Sequence, residues 1–179
     1  PEQETMEEIE NYLTMASQYG FTKIFTSMFS VPGTKEEVFD YFKNFCDLAH
    51  KHGMKVSGDC NTAFLKKMGA SESDISIFKE MGIDIIRMDL PYFDQRDVTL
   101  INNPYNITIE LSSCMIQAVR MALENGANPK NFSTCHNFYP ERYTASDLES
   151  IREVNKELSN LGIPSAVFIS SSEENTHGP

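Results

Sequence analysis

The sequence predicts an α/β fold of the (β/α)₈ TIM-barrel class, because strand-like runs alternate with helical patterns along the chain. Five times, a helical stretch ends in a glycine and a short β-branched or apolar run follows it. Glycine tolerates the left-handed conformation that closes a helix, so each of these glycines marks a helix end and a strand start. The five are Gly20, Gly53, Gly82, Gly126 and Gly162.

The remaining elements follow from hydrophobic periodicity and capping signals. A sixth strand-like run, residues 106–112, follows Asn103-Pro104-Tyr105 instead of a glycine. The predicted strands begin near residues 21, 55, 84, 107, 132 and 164. The predicted helices cover residues 5–19, 35–51, 73–81, 114–125 and 146–161. Two of them begin with an S/T-x-x-E capping box, Thr34 with Glu37 and Ser146 with Glu149.

Strands that alternate with helices form a parallel sheet, either closed into a barrel or open and doubly wound. A nucleotide-binding open sheet predicts a glycine-rich phosphate turn after an early strand, yet FTKIFTSMF is followed by SVPGTKEE, which has one glycine. The uneven strand spacing also favours the barrel, whose loops vary in length. Since six strands are visible, we expect residues 1–179 to be a single partial barrel domain that lacks the first and last strands.

Composition narrows the classes of partner. A net charge of −11 without any Lys/Arg run argues against nucleic acid. No apolar run approaches the ~20 residues of a transmembrane helix and no signal peptide opens the chain, so we expect no membrane contact. The four cysteines lack CxxC spacing, which predicts free thiols in a cytoplasmic protein. A small-molecule substrate is the expected partner.

The residues at the ends of the predicted strands are the candidates for chemistry, because the carboxyl ends of barrel strands converge on the face that carries the active site. They are rich in carboxylates and other polar groups. The set consists of Asp59, Asn61, Arg87, Asp89, Glu110, Ser112, Ser113, His136, Asn137, Tyr139, Ser170 and Ser171. Because successive side chains of a strand lie on opposite faces, Arg87 and Asp89 share one face and their apolar neighbours lie on the other. In the same way, Glu110 lies on the face opposite to its apolar neighbours.

Asp89 and Glu110 form the leading catalytic pair. They end consecutive strands, and adjacent strands lie ~4.8 Å apart, which allows the separation of a glycosidase acid pair. Repulsion between two such carboxylates raises the pKa of one, so that one stays protonated as the acid while its partner is ionised. Which of the two is the acid and which the nucleophile or base stays open.

Each candidate also has an alternative interpretation. Arg87 and Asp89 can neutralise each other inside the barrel, His136 can be a partly buried structural histidine, and Asp59 can cap the helical segment that starts near Thr62. The strand-end serines are common turn residues. A serine nucleophile is not supported, because no G-x-S-x-G occurs.

A metal site is the second functional alternative. It would consist of Asp59, Asp89, Glu110 and His136, a donor set that suits Mg²⁺ or Mn²⁺. Such a site would indicate a metal-dependent aldolase or isomerase barrel that acts on a sugar phosphate.

Residues 135–144, CHNFYPERYT, resemble the signature of the bacterial 6-phospho-N-acetylmuramidase family, whose members were formerly called outer surface proteins. Other segments agree in order and spacing, among them YGFTKIFTSMFSVPG, HGMKVSGDCN, GIDIIRMD, NNPYNITIELS and VFISSS. The resemblance covers essentially the whole chain.

The resemblance implies a cytoplasmic enzyme with an N-terminal barrel and a small β-rich C-terminal domain that this chain does not contain. It implies hydrolysis of MurNAc 6-phosphate-GlcNAc during peptidoglycan recycling. The strand-end motifs of the family fall on the candidates already chosen, from Asp59 to Tyr139. We expect neither a cofactor nor a metal.

The candidates also divide by role within the substrate site. The local cations for a sugar phosphate are Arg87, His136 and Arg142. Tyr139 can stack on a pyranose ring, and the usual phosphate site of a barrel would lie near Ser170 and Ser171. The older family name leaves a third possibility open, a non-catalytic carbohydrate-binding module.

Overall fold

The structure is a computed structural model that describes residues 4–29, 31–88, 95–112, 116–138 and 144–169. Within these ranges it contains seven α-helices and six β-strands. The chain divides into two compact units. The first consists of Pro1–Arg87 and Asn103–Ile107, and the second of Met88–Asn102 and Thr108–Pro179.

Helices and strands alternate in the first unit. Its elements are α1 (Met6–Gln18), β1 (Lys23–Ser27), α2 (Lys35–Lys51), β2 (Lys55–Cys60), α3 (Thr62–Met68), α4 (Ser76–Met81) and β3 (Ile85–Met88), whose last residue falls in the second unit. β2 lies between β1 and β3. β1 and β2 are parallel, with Phe25 in register with Ser57 and Ser27 with Asp59.

The second unit repeats this alternation. Its elements are α5 (Gln95–Ile101), β4 (Thr108–Ser112), α6 (Ile116–Glu124), a 3₁₀ turn (Pro129–Asn131), β5 (Phe132–Phe138), α7 (Ala145–Asn160) and β6 (Ser165–Ile169). β5 is parallel to both of its neighbours, β4 and β6. Glu110 of β4 is in register with Ser133 of β5.

The predicted strand starts are confirmed to within two residues, at 23, 55, 85, 108, 132 and 165. The five glycines predicted to close helices all have positive φ, between 74° and 93°. Such angles strain a residue that carries a Cβ, so glycine is the residue that these turns require. The local pattern therefore located each turn from a helix into a strand.

One predicted capping box is confirmed and the other is wrong. The Thr34 side chain accepts a hydrogen bond from the Glu37 backbone, and the Glu37 carboxylate accepts one from the Thr34 N–H in return. The box expected at Ser146 and Glu149 lies two residues earlier, at Thr144 and Asp147. An aspartate side chain also reaches back to the cap there, so the helix begins at Ala145 and the threonine takes the capping position.

Two helices are not among those predicted, and one was predicted too long. α3 follows β2 directly and corresponds to the segment near Thr62 that was considered only in the capping alternative for Asp59. α5 lies within residues 90–103, for which no helix was predicted. α4 begins at Ser76 rather than residue 73, because the Asp74 carboxylate accepts a hydrogen bond from the Ser76 N–H and holds a turn before the helix. Short helices carry too few turns for a clear periodic signal.

The core of the first unit forms where helices pack against strands. Phe42 of α2, Phe64 of α3 and Phe78 of α4 are at most 3% exposed, and successive ring centroids lie 6.1 Å apart. Edge-to-face and tilted contacts at this distance stabilise a core beyond the burial of apolar area. None of the helices in the described ranges has the length and hydropathy of a membrane-spanning segment.

Three cysteines of the described chain, Cys46, Cys60 and Cys135, are buried and form no disulfide bond. Burial raises the pKa of Cys46 and of Cys60 to about 12, and the carboxylates of Asp84 and Asp59 add to the respective shifts. Because the thiolate is the reactive form, neither residue has the properties of a nucleophile.

We expect Cys46 and Cys60 to resist alkylation in the folded protein. Raising a thiol pKa from 9.0 to about 12 lowers the thiolate fraction at pH 8 roughly a thousandfold. Iodoacetamide labelling followed by peptide mass spectrometry should show little modification of either residue under native conditions and complete modification in 6 M guanidinium. Rapid native labelling of either cysteine would contradict its buried position.

Candidate active site

The end of β2 supplies Asp59 and Asn61. Asp59 is in register with Ser27 of β1. Asn61 is the N-cap of α3, and its side-chain oxygen accepts a hydrogen bond of 2.8 Å from the Phe64 N–H. The alternative that Asp59 caps this helix is therefore wrong, because the capping residue lies two positions later. Capping uses the amide oxygen of Asn61 and leaves its exposed NH₂ group as a donor for a ligand.

Arg87 of β3 is 7% exposed, and its guanidinium carbon lies 5.3 Å from the ring centroid of Phe25 on β1. This arrangement is a cation–π contact between side chains of two strands that flank β2. Sequence reasoning selected Arg87 and missed Phe25, which lies in mid-strand rather than at a strand end. The available signal was an aromatic residue in KIFTS whose same-face neighbours, two positions away on either side, are the polar residues Lys23 and Ser27.

Glu110 of β4 is a buried carboxylate. It is 2% exposed, and its neighbours Ile109 and Leu111 are also buried, so both faces of this strand are covered. Burying an ionisable group is costly unless other groups compensate, and such residues are concentrated at functional sites. The structure thus gives the predicted catalytic glutamate the water-poor surroundings that acid–base chemistry uses.

β5 contains the CHNF segment. Ser133 is the register partner of Glu110, and Cys135 is that of Ser112. His136 and Asn137 are in register with Val167 and Phe168 of β6. The side chains of His136, Asn137 and Ser112 are outside the described part of the chain.

Several predicted site residues lie outside the described residues altogether. They are Asp89, Ser113, Tyr139, Arg142, Ser170 and Ser171. In the sequence, Asp89 follows Met88, the last described residue of β3. The pairing of Asp89 with Glu110, or its neutralisation by Arg87, stays a prediction.

No cluster of three or more His, Cys, Asp or Glu side chains in the described ranges could hold a metal ion. The metal site considered from the sequence includes Asp89 and the side chain of His136, which those ranges do not contain. It stays a prediction.

A groove of about 650 Å³ lies along α1 and β1 in the first unit. Its lining includes Ile9, Tyr12, Phe21 and Phe45, together with Phe25, the residue that contacts Arg87. Among the described residues, Glu4 is the carboxylate that lines it, and the predicted site residues that the structure describes lie elsewhere.

Parallel strands that alternate with helices, with polar and ionisable residues at the strand ends, define a barrel domain of the kind that carries an active site on its strand-end loops. The chain belongs to the family described as 6-phospho-N-acetylmuramidase, N-terminal, whose model matches residues 1–179. The family name denotes a glycosidase. The resemblance found in the sequence is confirmed.

Solved structures support the same fold. The chain is 30% identical to an uncharacterized B. cereus protein, with a TM-score of 0.70 over 90% of this chain and 43% of that one. It is 22% identical to a conserved Enterococcus faecalis protein of unknown function, with a TM-score of 0.71 over 91% of this chain and 44% of that one. The chain thus spans less than half the length of both relatives.

A more distant neighbour is the phospho-2-dehydro-3-deoxyheptonate aldolase of Thermotoga maritima. It is 15% identical, with a TM-score of 0.54 over 98% of this chain and 59% of that one, so the likeness shows the fold alone. No curated protein matches the chain. The predicted fold class, a partial (β/α)₈ barrel, is confirmed.

Proposed function

We propose that this domain belongs to a bacterial cytoplasmic glycosidase that hydrolyses MurNAc 6-phosphate-GlcNAc during peptidoglycan recycling. The match of the 6-phospho-N-acetylmuramidase family model to residues 1–179 is the observation that carries the proposal. Cys46, Cys60 and Cys135, which are buried and form no disulfide bond, fit a reducing compartment.

Glu110 and Asp89 supply the two carboxyl groups of the proposed reaction. One protonates the glycosidic oxygen as the bond to the leaving sugar breaks through an oxocarbenium-like transition state. The other either attacks the anomeric carbon, forming a glycosyl-enzyme that water then hydrolyses, or takes the proton of the water that attacks this carbon directly. The burial of Glu110, at 2% exposure, supports this role, because a water-poor site strengthens the interaction of a carboxylate with developing positive charge.

Arg87 is the proposed anchor for an anionic group of the substrate. A guanidinium presents five N–H donors in one plane, which match phosphate or carboxylate oxygens in pairs. We assign supporting contacts with the sugar phosphate to His136, Arg142, Ser170 and Ser171. Hydroxyl and ring contacts are assigned to Asp59, Asn61, Asn137 and Tyr139.

The proposal is tested by incubating the purified protein with MurNAc 6-phosphate-GlcNAc and following both products by mass spectrometry. We expect turnover that is unaffected by EDTA. The disaccharide without phosphate should react with a kcat/KM at least about a hundredfold lower, because charge-assisted hydrogen bonds to the phosphate contribute about 1.5–3 kcal/mol each.

Two results would redirect the assignment. Turnover that is abolished by EDTA and restored by Mg²⁺ would favour the metal-dependent barrel. Binding of the disaccharide without any cleavage would favour a carbohydrate-binding module.

A further inference from the structure

The contact between Phe25 and Arg87 extends the site to a strand that carries none of the predicted site residues. We propose that Phe25 is a positioning residue, which holds the Arg87 guanidinium in the orientation that binds the phosphate of the substrate. This inference rests on the proposed function in one respect, the role of Arg87 as an anion anchor. Phe25 itself makes no contact with the anion.

The contact joins two strands that are not neighbours in the sheet. β2 separates β1 from β3, and strands spaced by ~4.8 Å put the outer two ~9.6 Å apart. The guanidinium carbon nevertheless lies 5.3 Å from the Phe25 ring centroid, so the two side chains meet across β2. The β2 residue in register with Phe25 is Ser57, which is fully buried and small enough to let them close over it.

A ring is suited to orienting an arginine that must bind something else. The ring attracts the guanidinium charge at 5.3 Å and carries no oxygen or nitrogen acceptor for the five N–H donors of Arg87. A carboxylate in place of Phe25 would bind those donors and would neutralise the charge. The aromatic residue therefore restricts the rotation of the side chain without competing for its hydrogen bonds.

Burial increases the effect of the ring. Arg87 is 7% exposed, and cation–π contacts strengthen when the cation is desolvated. Phe25 is itself 38% exposed, so its apolar area contributes less to the core than a buried phenylalanine would. An effect of Phe25 on ligand binding is thus separable from a general effect on folding.

The test measures ligand binding by isothermal titration calorimetry on the purified protein. The ligands are MurNAc 6-phosphate and the same sugar without phosphate, and the variants are Phe25→Leu and Phe25→Tyr. We expect Phe25→Leu to raise the Kd for the phosphorylated sugar about fivefold and to leave the Kd for the other sugar within twofold. Phe25→Tyr keeps the ring face and should bind the phosphorylated sugar like the parent protein.

Two further comparisons test whether the effect of Phe25 on binding depends on Arg87. Phe21→Leu makes the same chemical change at a phenylalanine that is 62% exposed, and should leave both Kd values unchanged. In an Arg87→Met background, adding Phe25→Leu should have less than a twofold further effect on the Kd for the phosphorylated sugar.

The outcomes separate this inference from the proposed function. A parent protein that binds MurNAc 6-phosphate but cleaves nothing refutes the hydrolase assignment, and the binding series still decides the role of Phe25. Equal weakening of both sugars by Phe25→Leu, an unchanged Kd for the phosphorylated one, or no binding of it by the parent protein would overturn the inference.

Discussion

Replacing Glu110 by glutamine should lower kcat/KM for MurNAc 6-phosphate-GlcNAc by about a thousandfold, the magnitude that positioned acid–base groups contribute. The amide is nearly isosteric with the carboxyl group, but it can neither donate a proton to the glycosidic oxygen nor act as an anionic nucleophile. Asp89→Asn should cause a loss of similar size. The measurement is the initial rate of MurNAc 6-phosphate release.

The control must separate lost chemistry from lost structure. Glu124→Gln makes the same change at an exposed position at the end of α6, in the same unit as Glu110, and should leave the rate unchanged. Circular dichroism melting should give the three variants and the parent protein similar transition temperatures. If Glu110→Gln and Asp89→Asn both retain turnover within threefold, the two carboxylates take no part in the reaction.

The largest expected effect on stability is that of Gly82→Ala. Gly82 closes α4 with φ +93°, and an added Cβ would lie 2.9 Å from the Cβ of Cys46 on α2. Positive φ costs an alanine about 1–2 kcal/mol, and overpacking of a core adds about 1–3 kcal/mol. We therefore expect the free energy of unfolding to fall by about 3 kcal/mol, measured by urea titration at 25 °C.

Gly53→Ala is the matched comparison within the same unit. Gly53 also follows a helix, with φ +74°, but an added Cβ there has no atom within 4 Å. Only the conformational cost applies, so we expect a loss of about 1 kcal/mol. Equal losses at the two positions would show that the close approach of α4 to Cys46 on α2 does not constrain the fold.

The alternation of elements was predictable because its signals are local. A glycine after a helical pattern, followed by β-branched residues, defines a turn whatever surrounds it. The ends of the strands could therefore be located from short stretches of sequence. The burial of Glu110, at 2% exposure, was not predictable in the same way, because polar and apolar residues alternate in TIELS instead of forming an apolar run.

Choices between nearby polar residues were not predictable in this way. Asp59 and Asn61 are both favourable capping residues, and the start of α3 selects Asn61. Ser146 and Thr144 each head a capping motif, and the helix begins after Thr144. In both cases the start of the helix shifts by one or two residues, and such a shift is set by packing as well as by helix propensity.

The amino-acid sequence alone determined the family and the order of the strands and the longer helices, since motifs and periodicity belong to contiguous residues. Only the tertiary structure revealed that Phe25 lies over Arg87, 62 positions further along the chain. That contact depends on β2 lying between β1 and β3 and on the register that sets Ser57 beside Phe25. Register is a property of paired strands, so no single stretch of sequence encodes it.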